Sequence, residues 1–174
     1  KAKSKTALFD ILDGLYRLPD GTPDPDRRVT VCPTLYRGHA SGLAVTACRD
    51  GYDQIICCGG DGTLNEVING LMTVPEKLRI PLGYIAAGST NDFASSMGLP
   101  THLKDAISLA SGERVGRLDV GQFIPADPAL AEKPRFFSYI ASFGAFTKAS
   151  YATPQSIKNA LELLCLNLVK IKVI

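Results

Sequence analysis

The residues best suited to chemistry form one string, Cys57-Cys58-Gly59-Gly60-Asp61-Gly62-Thr63-Leu64-Asn65-Glu66. An apolar, β-rich run ends in three glycines and a carboxylate, and a helical pattern follows at once. Glycines remove the Cβ atoms that would hold a phosphate away from backbone N–H groups, and a helix start aims its positive end at the same place. The spacing Thr63-x-x-Glu66 fits a capping box at that start. Asp61 suits an anion cradle only if a cation lies between it and the phosphates, so the charge logic implies magnesium. The bland alternative is an Asp-Gly turn that merely joins strand to helix.

A second loop of the same kind follows the run Ile80 to Ala86: Ala87-Gly88-Ser89-Thr90-Asn91-Asp92-Phe93-Ala94. Gly88 permits close backbone approach, and Ser89 and Thr90 offer hydroxyls. Asn91 and Asp92 can either cap the next helix or face the loop. Two loops, each after a strand and each carrying an aspartate, favour one shared site.

The elements that must position these loops alternate along the chain. Leu8, Ile11, Leu12 and Leu15 share one helical face, ahead of a proline- and aspartate-rich connection over Pro19 to Asp26. A strand is expected over Val29 to Cys32, a helix through Ala40, Leu43, Ala44 and Ala47, and a buried strand over Gln54 to Cys58. Leu64, Val67, Ile68 and Leu71 mark a helix, Ile80 to Ala86 a strand, Asn91 to Met97 a short helix closed by Gly98, and Leu103 to Ala110 another closed by Gly112. This order predicts an α/β fold, a parallel sheet with helices on both faces, which binds ligands at the carboxyl ends of its strands. Beyond Gly121 the pattern changes. Pro125, Pro128 and Pro134 interrupt it, Phe136 to Ser142 reads as a strand, Ile157 to Leu164 as a helix, and Val169 to Ile174 as a strand. A nucleotide domain over residues 1–120, without its first strand, and a partial β-rich domain over 121–174 are expected.

Composition narrows the function classes. The 174 residues carry 19 Lys and Arg against 17 Asp and Glu, so dedicated nucleic-acid binding is not expected. Residues 59–121 nevertheless hold 5 basic and 7 acidic groups, a local balance of −2 around the glycine loops. Five cysteines without a C-x-x-C pair, and two histidines, give neither a disulfide framework nor a zinc site, and suit a reducing cytosol. With no apolar run near the ~20 residues of a membrane span, membrane contact is expected to be peripheral.

Residues Gly59 to Leu71, with Gly88-Ser89-Thr90-Asn91-Asp92-Phe93-Ala94, resemble the catalytic domain of the bacterial diacylglycerol kinase and lipid kinase family, which includes sphingosine and ceramide kinases. The first element is shared with NAD kinases and phosphofructokinases; the second separates the family from NAD kinases. The likeness extends over nearly all of residues 1–165, including Arg117-Leu118-Asp119-Val120-Gly121, read as strand-like. It implies an NAD kinase-like fold, ATP and Mg2+, and transfer of the γ-phosphate to the hydroxyl of diacylglycerol or a related neutral lipid, giving phosphatidic acid. It places ATP contacts at Thr34, Gly59, Gly60, Asp61, Gly62, Thr63, Leu64, Asn65, Gly88 and Ser89, where Ser89 stands for the family's threonine. Asp61, Asp92 and Asp119 match acidic residues around the phosphates and magnesium, with Asp61 nearest the metal through ATP. It further implies a cytoplasmic protein at the inner face of a membrane, with a homodimer as one arrangement. The family's glutamate base matches no residue here and is expected outside this sequence.

Cys57 and Cys58 read as core. His39 suits a cap or surface role more than a phosphate contact, and His102 a surface. Phe136, Phe137, Tyr139 and Phe143 suit a second core better than a lipid face, and Lys133, Arg135 and Lys148 contribute at most weakly to an anionic membrane. Rival functions are an NAD kinase-type enzyme acting on a soluble substrate and a nucleotide- or lipid-binding regulator without catalysis.

Overall fold

The computed structural model describes residues 2–18, 20–124, 134–139 and 167–173. In chain order the elements are α1 (Ala2–Leu15), β1 (Arg27–Pro33), α2 (His39–Arg49), β2 (Gln54–Gly59), α3 (Asp61–Thr73), β3 (Leu82–Ala86), α4 (Asp92–Ser96), α5 (Leu103–Ala110), β4 (Gly121–Phe123), β5 (Arg135–Phe137) and β6 (Asn167–Val173). The helix and strand expectations up to Ala110 are met within a few residues. The helix expected over 157–164 lies outside the described residues.

The run Ile55-Ile56-Cys57-Cys58 is buried throughout because β2 has helices on both sides. Ile55 and Cys57 pack with the alanine face of α2 (Ala40, Ala44, Ala47) and with Leu64, Val67, Ile68 and Leu71 of α3. Ile56 and Cys58 point the other way, onto Ile11 and Leu15 of α1 and Ala106, Ile107 and Ala110 of α5. The two-residue alternation of a strand thus serves two cores at once. Small residues set the spacing. A Cβ on Gly70 would collide with the backbone of Ser41 in α2, and one on Gly83 with the carbonyl of Ala110 in α5.

The sheet order is β1-β6-β2-β3. β2 and β3 are parallel, from Ile55 opposite Leu82 to Gly59 opposite Ala86. The expectation of a wholly parallel sheet is corrected by β6, which is antiparallel to β1 (Arg27 opposite Val173) and to β2 (Gln54 opposite Ile171). Helical crossovers make β1, β2 and β3 run the same way. No such short crossover governs β6, which arrives from much later in the chain. The strand expected over 169–174 exists, and it is a member of this sheet. β4 and β5 form a separate antiparallel pair, Gly121 opposite Phe137 and Phe123 opposite Arg135. Residues 117–120 are irregular, so the strand-like reading of Arg117 to Gly121 holds only for its last residue.

Gly70→Ala and Gly83→Ala should each lower the urea midpoint by the equivalent of about 1–3 kcal/mol, because the added methyl meets fixed backbone rather than a flexible side chain. Unchanged midpoints would show that the helices can retreat freely.

Candidate functional site

β2 and β3 end side by side, and the N–H of Ala87 donates to the carbonyl of Gly59 at 2.9 Å, one step beyond the strand pairing. The two glycine loops therefore leave the sheet at the same level. A Cβ on Gly60 would lie 3.2 Å from the Cα of Gly88, and one on Gly88 only 2.5 Å from the Cα of Gly60. The loops touch backbone to backbone, a contact that excludes a side chain at Gly88 and leaves one at Gly60 tight. Gly62 is the opposite case: it is exposed, and a Cβ there would meet nothing within 4 Å. Its bare backbone faces open space at the first turn of α3, as an anion cradle requires.

The acidic groups on α3 act across the loops. One oxygen of Asp61 accepts the N–H of Asp92 at 3.0 Å, and the other accepts that of Phe93 at 3.1 Å. Asp61 is therefore the N-terminal cap of α4. Asn91, preceding that helix, is left-handed (φ 55°), and its carboxamide is turned back on the loop. Its Oδ1 accepts from Gly88 N at 2.9 Å, and its Nδ2 donates to Gly88 O at 2.8 Å. Of the two roles open to Asn91, the structure has it brace the loop.

Glu66 corrects the capping-box expectation. α3 starts at Asp61 with Gly60 as its cap residue, and Thr63 is buried beneath Gly59. Glu66 instead reaches α2, accepting the N–H of Gly38 at 2.8 Å and that of Ala40 at 3.3 Å. Gly38 itself is left-handed (φ 86°) and has no side chain to offer. The spacing Thr63-x-x-Glu66 was genuine, but the helix began two residues before Thr63. Glu66 in turn ties the connection after β1, which carries Thr34, to the helix that carries the glycine loop.

The remaining expected site residues differ in placement. Gly59 to Gly62 and Gly88 converge at the strand ends; Asn65, Ser89 and the side chain of Asp92 are exposed near them in sequence. Thr63 and Leu64 are buried, Thr63 with its side chain beneath Gly59 and Leu64 within the α2–α3 core. Thr34 is half-buried just past β1. Asp119 is exposed two residues before β4, beside Val120, which packs on the main core, and no hydrogen bond joins it to either loop among the described residues.

His39 accepts the N–H of Leu35 at its Nδ1 (3.1 Å) and stacks on Tyr36 with ring centroids 4.6 Å apart, a local brace near a helix start. His102 is exposed, 3.6 Å from Asp105. Phe136 and Phe137 are half-buried, and Tyr139 is exposed. Phe143, Lys133 and Lys148 lie outside the described residues.

Two groups below the loops carry displaced titrations. Burial first, and then the Glu66 charge, push the Cys57 thiol up to about 12, which fits a core residue rather than a nucleophile. Tyr84 on β3 packs edge-on against Phe93, and its buried hydroxyl has no hydrogen-bond partner among the described residues. Burial, then the Asp61 charge, push its ionisation upward. Nothing in the sequence marked Tyr84, since a tyrosine in an apolar strand reads as packing.

No group of three or more His, Cys, Asp or Glu is placed to hold a metal among the described residues. Asp61 retains free lone pairs besides the two it uses, and exposed Asp92 adjoins it. That donor set fits a magnesium held mainly by phosphate and water, not a resident ion.

Known proteins supply an independent comparison. A family model described as the diacylglycerol kinase catalytic domain matches residues 23–123, which include both glycine loops. A diacylglycerol kinase of Staphylococcus saprophyticus is 37% identical over 122 residues, covering 70% of this chain and 36% of that protein. One of Staphylococcus haemolyticus is 34% identical over 126 residues, covering 72% and 35%. The matched region thus spans about a third of these relatives' length. A crystal structure from Bacillus anthracis str. Sterne, described provisionally as a diacylglycerol kinase, aligns with 34% identity and a TM-score of 0.45 over 50% of this chain and 28% of that one.

Asp61→Ala should cost about 1–2 kcal/mol of stability by uncapping α4, and should speed amide exchange at Asp92 and Phe93; unchanged exchange there would remove the cap. The Cys57 thiol ionises only near 12, against an ordinary 9.0, so its contribution is intact below about pH 9 and lost as pH rises toward 12. The stability gap between the wild type and Cys57→Ala should accordingly narrow from pH 9 to 11 in urea titrations, and a constant gap would contradict the burial argument.

Proposed function

From the premise that this chain belongs to the diacylglycerol kinase catalytic-domain family, we propose that it is the nucleotide-binding part of an ATP-dependent lipid kinase whose acceptor is the hydroxyl of diacylglycerol or a related neutral lipid. The observation that carries this reading is the backbone contact of Gly60 with Gly88 at the ends of two parallel strands, with the first turn of α3 open to solvent at Gly62. A triphosphate laid there meets N–H groups and the positive end of α3.

In this reading Gly59 to Thr63 bind the β- and γ-phosphates through backbone N–H groups, and Gly88 and Ser89 border the same space. Thr34, Leu64 and Asn65 complete the nucleotide contacts, Leu64 through its backbone alone. Phosphoryl transfer forms a bond from the acceptor oxygen to the γ-phosphorus, breaks the bond to the β–γ bridging oxygen and passes the hydroxyl proton to a base, the family's glutamate, which matches no residue of this sequence. The chain's part is to hold that phosphorus in line and stabilise its charge. Magnesium, when bound with ATP, neutralises part of the triphosphate charge, with Asp61 and exposed Asp92 as the nearest protein carboxylates. Asp119, at the start of the second sheet, is the third acidic candidate. The product with diacylglycerol is phosphatidic acid.

No helix is long and apolar enough to cross a membrane among the described residues. An acceptor dissolved in a bilayer then calls for peripheral contact, at the cytoplasmic face where ATP is available. We also propose a nucleotide domain over 1–120, whose sheet β6 rejoins, and a second, β-rich domain that starts at residue 121, with homodimerisation as a further arrangement.

Incubating the intact protein with γ-labelled ATP and, in parallel, diacylglycerol vesicles or NAD should give labelled phosphatidic acid and unlabelled NAD; label in NAD rather than in lipid would overturn the proposal. Gly62→Ala should keep the fold, since its methyl meets no atom, yet weaken ATP binding about tenfold or more by occupying the cradle. Undiminished affinity, measured by calorimetry, would place the triphosphate elsewhere.

A further inference from the structure

Asn69 stands two turns into α3, on the helix that begins at the glycine loop, and its carboxamide is fully engaged. Its Oδ1 accepts the N–H of Phe136 at 2.9 Å, and its Nδ2 donates to the carbonyl of the same residue at 2.9 Å. The second Nδ2 hydrogen serves Asn65, whose carbonyl lies 2.8 Å away and whose Oδ1 lies at 3.3 Å. A side-chain amide that takes both main-chain groups of one residue reproduces the close hydrogen-bonded pair of an antiparallel ladder. Asn69 thus acts as a one-residue strand along the outer edge of β5.

The pairing within the second sheet agrees with this. Phe136 lies opposite Gln122 of β4. Because both main-chain groups of Phe136 turn toward Asn69, Gln122 and Phe136 form the non-hydrogen-bonded pair of that three-rung ladder. The β4–β5 unit is therefore held to β3's neighbour helix by a directional bond and not only by apolar contact, which would tolerate sliding. The connection into β4 carries Asp119, so the same bond fixes where that carboxylate stands relative to the loop. We infer that Asn69 is a positioning residue that sets the register of the second sheet against the phosphate-loop helix, and so sets the acceptor side of the reaction against the nucleotide side.

Replacement chemistry makes this testable. In Asn69→Asp the acceptor of the Phe136 N–H survives, but a carboxylate then faces the carbonyls of Phe136 and Asn65. The clamp is half lost and half repulsive, with almost no change in volume. Asn69→Ala removes it without adding charge, and carries the comparison if the aspartate variant does not fold.

Two readouts on the intact protein separate the clamp from the kinase reading on which the catalytic half of this inference rests. Amide exchange over residues 135–137 should speed at least tenfold in either variant, while exchange at Asp92 and Phe93, held by Asp61, stays within twofold. Unchanged exchange at 135–137 would overturn the clamp whatever the protein phosphorylates. With γ-labelled ATP and diacylglycerol vesicles, kcat should fall roughly 10- to 100-fold, the cost of a small misplacement of reactants, while the dissociation constant for ATP stays within twofold. A faster-exchanging variant with wild-type kcat would overturn the positioning role and leave only a structural bond. Wild-type protein that labels no lipid would fail the kinase reading, with the exchange result still deciding the clamp.

Discussion

Helices that start at the carboxyl edge of a sheet leave backbone N–H groups that must find acceptors. In this protein two such helices find them on a third. Neither α2 nor α4 is capped by its own preceding side chain. Glu66 of α3 accepts from Gly38 and Ala40 at the start of α2, and Asp61 of α3 accepts from Asp92 and Phe93 at the start of α4. The helix that caps both neighbours begins after Gly60, which has no side chain with which to cap it. Among the described residues no side chain caps its own start.

This arrangement explains why packing at α3 is so close. A carboxylate reaches a neighbouring helix start only if the helices and loops nearly touch. Gly70 lets α3 lie against the backbone of Ser41 in α2, and Gly60 and Gly88 let the two loops cross in contact. The glycines and the acidic residues of one short segment are thus two halves of one device, the former giving proximity and the latter direction. Asn69 extends it with the same logic, a polar side chain from α3 satisfying the main chain of another element.

Much of this was legible in the sequence because period and loop chemistry are local. The buried run of β2, the alanine face of α2 and the two glycine loops are written in consecutive residues, and the elements formed within a few residues of where the pattern placed them. What could not be read was non-local. Thr63 and Glu66 have the spacing of a capping box, yet the start of α3 at Asp61 frees Glu66 to cap a helix 26 to 28 residues upstream. Asp61 reads as a ligand for a cation, and its bonds to Asp92 and Phe93 depend on a pairing 31 residues away that spacing cannot express. The antiparallel entry of β6 between β1 and β2 likewise depends on a distant segment, not on a βαβ crossover.

Through backbone capping α3 holds the loops around it, and residue-resolved amide exchange in Glu66→Ala against the wild type tests this. Exchange should be faster at Gly38 and Ala40, which lose their acceptor, and little changed at Asp92 and Phe93, which keep theirs on Asp61. Equal exchange at Gly38 and Ala40 in the two proteins would contradict it, because α2 would then be held by packing alone.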